Sequence, residues 1–398
     1  MGGGAPSWGK CSSDRQSFHH LIHHSADVAA VFLSLLGQPI FRRRADAALR
    51  RPLEDSELRA LAVLVFLHDI GKLAPGFQAK GWSEPHGVPL RGHLECGWLW
   101  TRTLDAKSLA GTAGHVARWP AIRTWLLALF AHHGRPVVEP ESGLASPFYT
   151  LRHVAYDWKA EEQHMGEALL AWFPDLPTVR PPPASPRFVH FFCGLLTLAD
   201  WIGSDRRAFP FEAAFRPDYW RTAQAQAERR VREIGLSPHG LALRGEPGWA
   251  LISDHVAPRT AQAAIGTVPP GERLVLLEAE TGAGKTEAAL WRFATLLAAG
   301  EIEALYFAVP TRAAARQLQR RVNEALQRMF ADPPEAVLAI PGQVRAGEAA
   351  GMRLPDFTML WDDAQERPTR WAAEHSARFL AARVAVGTVD QRRSAGFR

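Results

Sequence analysis

Cysteine is scarce, and its three copies stand far apart: Cys11, Cys96 and Cys193 form no Cys-x-x-Cys pair. That arrangement speaks against a disulfide framework and against a zinc ribbon, and it suits a reducing cytosol. Long apolar runs are missing as well. The most hydrophobic stretches, Leu61–Leu67 and Phe188–Ile202, are too short or too interrupted to span a bilayer. The opening Met-Gly-Gly-Gly-Ala-Pro lacks the basic-then-apolar order of a secretory signal. No internal repeat and no long low-complexity tract occurs. The expectation is a soluble, cytoplasmic, globular protein with no membrane partner. Charge of one sign is not in large excess either. A net +5 permits a polyanionic partner without demanding one. The local runs Arg42-Arg43-Arg44, Arg50-Arg51 and Arg206-Arg207 read as solvated surface.

What is present divides in two, and 398 residues suffice for two domains. From about 18 to 205 the pattern is helical. Residues 56–68 start at a Ser56 cap and run apolar at three- and four-residue spacing. Residues 122–132 and 188–202 give further helices, and the Pro-rich stretch Pro177–Pro186 is a loop. Residues 215–235 read as an amphipathic helix and 236–248 as a linker. Strands and helices then alternate. Strand Arg273–Glu278 leads through a glycine turn to helix Thr286–Ala299, closed by Gly300. Strand Ala304–Val309, helix Ala313–Ala325 and strand Arg383–Val386 follow. Such alternation implies a parallel sheet, with the domain boundary between 206 and 250.

The helical half holds an unusual set of histidines and aspartates. His68 and Asp69 are adjacent at the end of an apolar helix, where leaving them unpaired is costly. For an isolated pair the bland reading is a satisfied core histidine beside a capping aspartate. This pair has company: His24, His93, His132, His133 and Asp200 each sit at or near a helix end that must pack into one core. Five imidazoles and two carboxylates are about what two divalent ions need while leaving positions open for water and substrate. Two such ions can activate a hydroxide and stabilise an in-line displacement at phosphorus. Nitrogen-rich ligation favours manganese, iron, cobalt or nickel over magnesium.

The order of these pieces resembles the HD nuclease domain of the CRISPR-associated nuclease-helicase of type I interference systems. The matching segments are HHSADVAAVF (23–32), FLHDIGKLAPGFQAK (66–80), RGHLECGWL (91–99), AHHG (131–134) and GLLTLADWIGSD (194–205). The resemblance implies one metal site from His24, His68, Asp69 and Asp200 and a second from His93, His132 and His133, with Asp69 between the ions. It also implies that Lys72 neutralises the scissile phosphate and that Ser204 contacts it. For Lys72 the plain alternative is a surface residue, for Ser204 a polar helix cap. His19, His20 and His23 are read as bystanders, because only His24 has the family spacing to Val28-Ala29.

Residues 279–286, Ala-Glu-Thr-Gly-Ala-Gly-Lys-Thr, fit the phosphate-loop pattern with Ala279 in place of the first glycine. Gly282 and Gly284 let backbone N–H groups converge on phosphates, Lys285 reaches the β- and γ-phosphates, and Thr286 binds magnesium. A simple strand-to-helix glycine turn would not need Lys-Thr there. The segment resembles superfamily 2 helicases. In that resemblance Thr311 and Arg312 contact the DNA backbone, Gln262 with Pro258-Arg259 reads adenine, and Val386–Gln391 precedes the acidic ATPase motif. The chain reaches Arg398 before such a motif, so a truncated helicase lobe is the expectation, with ATP turnover negligible.

The expected fold is therefore a mostly α HD domain over 18–207, after an extension 1–17. A helical linker region (208–248) and a partial RecA-like α/β lobe over 249–398 follow. The expected activity is cleavage of single-stranded DNA in CRISPR type I antiviral defence, alongside an RNA-guided surveillance complex. Phe77 and Trp82 could stack on bases but serve equally as packing. Two rivals remain: a nucleotide-directed HD phosphohydrolase and a non-catalytic nucleotide-binding remnant.

Overall fold

The computed structural model describes residues 6–390 apart from 13, 83–86, 104–107, 135–145, 152–154, 237–240, 341, 354–358, 364–366 and 368–369. Gln391 and the C-terminal stretch that follows it lie outside the described residues. The chain forms two compact units, Met1–Val231 and Arg232–Arg398.

In the first unit a short antiparallel pair, β1 (Trp8–Cys11) and β2 (Phe18–His20), runs directly into helix α1 (Leu21–Leu36). Helix α2 (Asp55–Phe66) is capped two residues earlier than the expected Ser56 and ends at Phe66 rather than 68. Its cap is Glu54, whose N–H donates to the Glu57 carboxylate at 3.0 Å, and Arg51 holds that carboxylate in place. Every residue from Ala60 to Phe66 is buried, so α2 is a core helix covered on all sides. Then come α3 (His93–Trp100), α4 (Ile122–Leu129) and α5 (Trp158–Trp172). Helix α4 stops at Leu129, short of the expected 132, so both histidines of 131–134 lie in the turns after it. Helix α6 (Pro186–Gly203) opens at Pro186, pre-set for a first helical position, and Ser185 accepts from the Phe188 N–H at 3.3 Å. Helix α7 (Tyr219–Glu233) begins after Pro217 rather than at 215 and buries Tyr219, Ala223, Ala227 and Val231 at four-residue spacing. Helix α1 lies at the centre, packed on both α2 and α6.

The second unit contains α8 (Thr260–Gly266), α9 (Lys285–Ala298), β3 (Leu305–Val309), α10 (Arg312–Met329), β4 (Ala336–Ala339), β5 (Arg345–Ala346), β6 (Ala349–Arg353), β7 (Met359–Trp361) and β8 (Val384–Thr388). The sheet order is β3-β8-β4-β5-β6-β7. Strands β3, β8 and β4 are parallel, as the alternation implies, and β5–β7 extend the sheet antiparallel. Phe293, Val322, Leu326, Phe330, Leu338 and Val386 pack beneath it. The expected strand Arg273–Glu278 is not one. It has no ladder partner, and Leu274 and Leu276 are 80% and 83% exposed. A short apolar run signals a strand only where a neighbouring backbone pairs with it. Among the described residues no single helix is long and apolar enough to cross a membrane.

Candidate metal centre and phosphate loop

Helix α2 ends two residues before His68, and Asp69 (φ −107°, ψ 18°) turns the chain into a tight helical turn, Ile70–Leu73. The His68 ring donates from Nδ1 to the Val65 carbonyl at 2.8 Å. His132 does the same to the Leu129 carbonyl, also at 2.8 Å. A carbonyl only accepts, so Nδ1 carries a proton, and in the neutral form of each ring it is Nε2 that presents a lone pair to the interior. Thr197 on α6 donates to the His132 carbonyl at 2.7 Å and steadies that turn.

Those lone pairs converge on Asp69. Its Oδ2 lies 3.2 Å from His24 Nε2 and 3.3 Å from His68 Nε2. Its Oδ1 lies 3.3 Å from His93 Nε2 and 3.8 Å from His132 Nε2. Asp200 Oδ1, near the end of α6, is 3.6 Å from His24 Nε2 and 3.8 Å from His68 Nε2. His133 Nε2 is 3.1 Å from His93 Nε2. The ligand atoms of His24, His68 and Asp200 form one group within 4.8 Å of one another, and those of His93, His132 and His133 form another. The structure thus brings all seven residues together, with one Asp69 oxygen facing each group.

A divalent cation fits this arrangement. His24 Nε2, His68 Nε2, His132 Nε2 and Asp69 Oδ1 are buried without a hydrogen-bond partner, which is costly unless a cation satisfies them. Two ligands about 2.1 Å from one ion at tetrahedral or octahedral angles lie roughly 3.0–3.5 Å apart, close to the separations found. Protonation agrees for most of the set. Burial pushes His24 well below its ordinary value, His93 to about 3 and His132 to about 4, so these rings are neutral. Burial alone would raise Asp69 and Asp200. The Lys72 ammonium beside Asp69, the Lys10 ammonium beside Asp200, and His68 beside both hold the two carboxyls well below the usual range. His68 differs: burial would lower it, but Asp69 and Asp200 outweigh this and hold it up at about 9.

Lys72 is buried rather than on the surface. Its Nζ lies 2.5 Å from Asp69 Oδ2 and donates to the Gly9 carbonyl at 2.8 Å. Ser204 closes α6 and its hydroxyl donates to Asp200 Oδ1 at 3.1 Å. Phe77 is packed on the Trp8 ring at 4.8 Å. His19 and His23 face away from the cluster. His19 pairs with Asp27 at 2.8 Å, and His23 accepts from the Arg216 N–H at 2.9 Å while stacking on Tyr219 at 3.7 Å. His20, Glu161 and His164 make a further close group. There, however, His20 Nδ1 accepts from the Ile22 N–H at 3.1 Å, which leaves the proton on Nε2 and no lone pair for a metal. Sequence reasoning passed over Gly9 and Lys10. They belong to the stretch 1–17, set apart as an extension, yet β1 supplies them to the rim of the cluster. No motif or spacing singled them out.

In the second unit, Gly282 and Gly284 both adopt φ of +82°, open to glycine and strained for other residues. Lys285 donates from Nζ to the Ala279 and Glu280 carbonyls at 2.6 and 2.8 Å, and Thr286 sits in the first turn of α9. Gln262 is buried on α8. Its amide nitrogen donates to the Gly284 carbonyl at 3.0 Å and braces the loop, while its oxygen accepts from the Arg259 N–H at 2.9 Å and caps α8. Thr311 caps α10, accepting from the Ala314 N–H at 3.2 Å, and Arg312 is exposed beside it.

Comparison with known proteins agrees with this architecture. The family described as "Cas3, HD domain" matches residues 8–209. The CRISPR-associated endonuclease/helicase Cas3 of Thermus thermophilus is 33% identical over 332 residues, which cover 78% of this chain and 35% of that protein. The crystal structure of T. fusca Cas3 superposes with a TM-score of 0.68 at 24% identity, covering 96% of this chain and 43% of that one. A chain of a CRISPR RNA-guided surveillance complex, pre-nicking, gives 0.57 at 23% identity over 97% of this chain and 40% of that one; both are likenesses of fold. This chain spans 35% to 47% of the length of the curated relatives it matches. With half of its length matched by the family's own signature, the chain belongs to the Cas3 HD-domain family of CRISPR nuclease-helicases.

Proposed function

We propose that the first unit is the nuclease of a CRISPR type I antiviral defence protein and cuts single-stranded DNA with two transition-metal ions. One observation carries the reading: Asp69 presents one oxygen to His24 and His68 and the other to His93 and His132. Bound divalent ions would supply electrophilic catalysis and water activation for phosphodiester hydrolysis. His24, His68, Asp69 and Asp200 would hold one, and His93, His132 and His133 the other. Ser204 orients Asp200. Lys72, beside Asp69, would offer its charge to the scissile phosphate. The second unit belongs to an ATP-dependent helicase, with Gly282, Gly284, Lys285 and Thr286 cradling ATP and magnesium, Gln262 beside the adenine, and Thr311 and Arg312 on the DNA backbone. The remaining proposed partner is an RNA-guided surveillance complex in the cytoplasm, whose opened target exposes a single strand.

The direct test is incubation of the manganese-loaded protein with circular single-stranded DNA and, separately, with nucleoside triphosphates and monophosphates. Nicked circles are expected. Hydrolysis of free nucleotides with intact circles would move the assignment to a nucleotide phosphohydrolase.

Metal uptake should also release a proton. His68 holds one up to about pH 9 while metal-free, and a ligating imidazole must be neutral. Below that pH, affinity should therefore rise as pH rises, levelling off above it. Calorimetric titration with manganese at pH 7.5, in two buffers of different ionisation enthalpy, should report close to one proton released per protein. Zero release would mean that no protonated His68 is displaced by the metal.

The phosphate loop should be dispensable for nicking. Lys285→Ala removes the ammonium that reaches the phosphates, so binding of a fluorescent ATP analogue should fall by about tenfold or more. Cleavage of single-stranded DNA without ATP should stay at the wild-type rate. Loss of cleavage in a folded Lys285→Ala protein would mean that the two activities are coupled.

A further inference from the structure

Strand β1 departs from regular pairing at one place. Trp8 faces His20, but Lys10 faces His19, so Gly9 is an extra residue between them. Such a bulge bends the strand and re-aims the side chain that follows it. Glycine is required there by contact: a Cβ on Gly9 would lie 2.8 Å from His24 Cβ and 3.1 Å from Leu21 Cα. The Gly9 backbone thus rests against the helix that carries His24, and its carbonyl accepts from Lys72. Trp8 fixes the other side. Its N–H donates to Gln78 Oε1 and its carbonyl accepts from Gln78 Nε2, both at 3.0 Å, while its indole N–H donates to the Gln78 carbonyl at 3.1 Å.

Lys10 emerges from this clamp at the rim of the metal centre. Its Nζ is 3.7 Å from Asp200 Oδ1, beyond hydrogen-bond length, and its side chain keeps 28% of its exposure. Lys72 differs on every count, being buried and engaged by both Asp69 and Gly9. A divalent ion on Asp200 would claim that carboxylate's charge and repel the ammonium beside it. Lys10 would then face an excess of positive charge, which only an incoming anion offsets.

We propose that Lys10, seated by the Gly9 bulge, binds a phosphate of the DNA strand beside Asp200. This rests on the nuclease reading and adds to it a residue that grips the substrate from the N-terminal strand. The interaction is with a phosphodiester oxygen, independent of base identity.

The test compares wild type, Lys10→Ala and Lys10→Arg, each manganese-loaded and checked for fold by circular dichroism and for metal content by elemental analysis. Binding of a cleavage-resistant phosphorothioate oligothymidylate is followed by fluorescence anisotropy across a salt series, and steady-state cleavage is measured on the unmodified strand. Lys10→Ala should keep its metal, raise KM by roughly tenfold as expected for a lost charged hydrogen bond, and change kcat less. The slope of log K against log salt should become shallower by about 0.7, the signature of one phosphate contact on single-stranded DNA. Lys10→Arg should restore the slope and most of KM. An unchanged slope and KM in Lys10→Ala would overturn the proposal, as would metal loss in that variant, which would make Lys10 a support for Asp200. If wild type binds and cuts nothing with manganese, the nuclease reading itself falls, which a selective failure at Lys10 would not imply.

Discussion

Asp69→Ala is expected to abolish DNA cleavage, with a loss greater than the roughly 10²–10³-fold that removal of one charge-stabilising donor costs an enzyme. Asp69 gives one carboxylate oxygen to each ligand group: Oδ2 is 3.2–3.3 Å from His24 and His68, and Oδ1 is 3.3 Å from His93. Removing it deprives each proposed ion of an anionic ligand, so bound metal should fall as well. The substitution also strands Lys72, which keeps the Gly9 carbonyl as a hydrogen-bond acceptor but loses the carboxylate beside it. Breaking a buried pair from one side costs about 3–5 kcal/mol, so Asp69→Asn is the cleaner companion. It keeps the shape and removes the charge. Both variants should retain helical circular dichroism, Asp69→Asn with the smaller drop in melting temperature, and both should lose metal and cleavage. Full metal content with full activity in either would remove Asp69 from the centre and, with it, the two-ion arrangement.

The second large effect is metal dependence. Stripping the protein with a chelator should eliminate nicking, and manganese, cobalt, nickel or ferrous iron should restore it. Magnesium should fall short by on the order of tenfold or more, because imidazole nitrogen suits the transition ions and magnesium prefers oxygen ligands. Five of the seven proposed ligands are the imidazoles of His24, His68, His93, His132 and His133. The two tautomers fixed by the Val65 and Leu129 carbonyls leave Nε2 of His68 and His132 as lone-pair donors, which a hard, strongly hydrated ion exploits poorly. The measurement is nicking of circular single-stranded DNA by the stripped protein across a matched series of chlorides. Strong magnesium-supported cleavage without activity in manganese would show that oxygen ligands dominate and that the histidines play another part.

Much of the centre was legible before any coordinates. His68-Asp69, the paired His132-His133 and Asp200 each occupy a helix end, and helix ends are set by local rules of capping and periodicity. The same rules located α6 and the phosphate loop with Lys285 and Thr286. Local rules misplaced smaller things for identifiable reasons. Ser56 is a good capping residue, but Arg51 and Glu57 together favour a cap at Glu54. Arg273–Glu278 carries a short apolar run like a buried strand, yet a strand exists only where another backbone completes it.

By itself the sequence determined which residue types could bind metal and phosphate and which helix ends would carry them, because spacing along one element dictates direction within that element. The resemblance already set Asp69 between two groups of ligands, and only the tertiary structure decided which of its oxygens faces which group. It also decided that Lys72 turns inward, that Gln262 braces the phosphate loop, and that Lys10 stands 3.7 Å from a carboxylate 190 positions away. Such distances are set by how α1, α2 and α6 pack and by the bulge at Gly9. Packing depends on the summed fit of many buried side chains, which no short stretch of sequence contains.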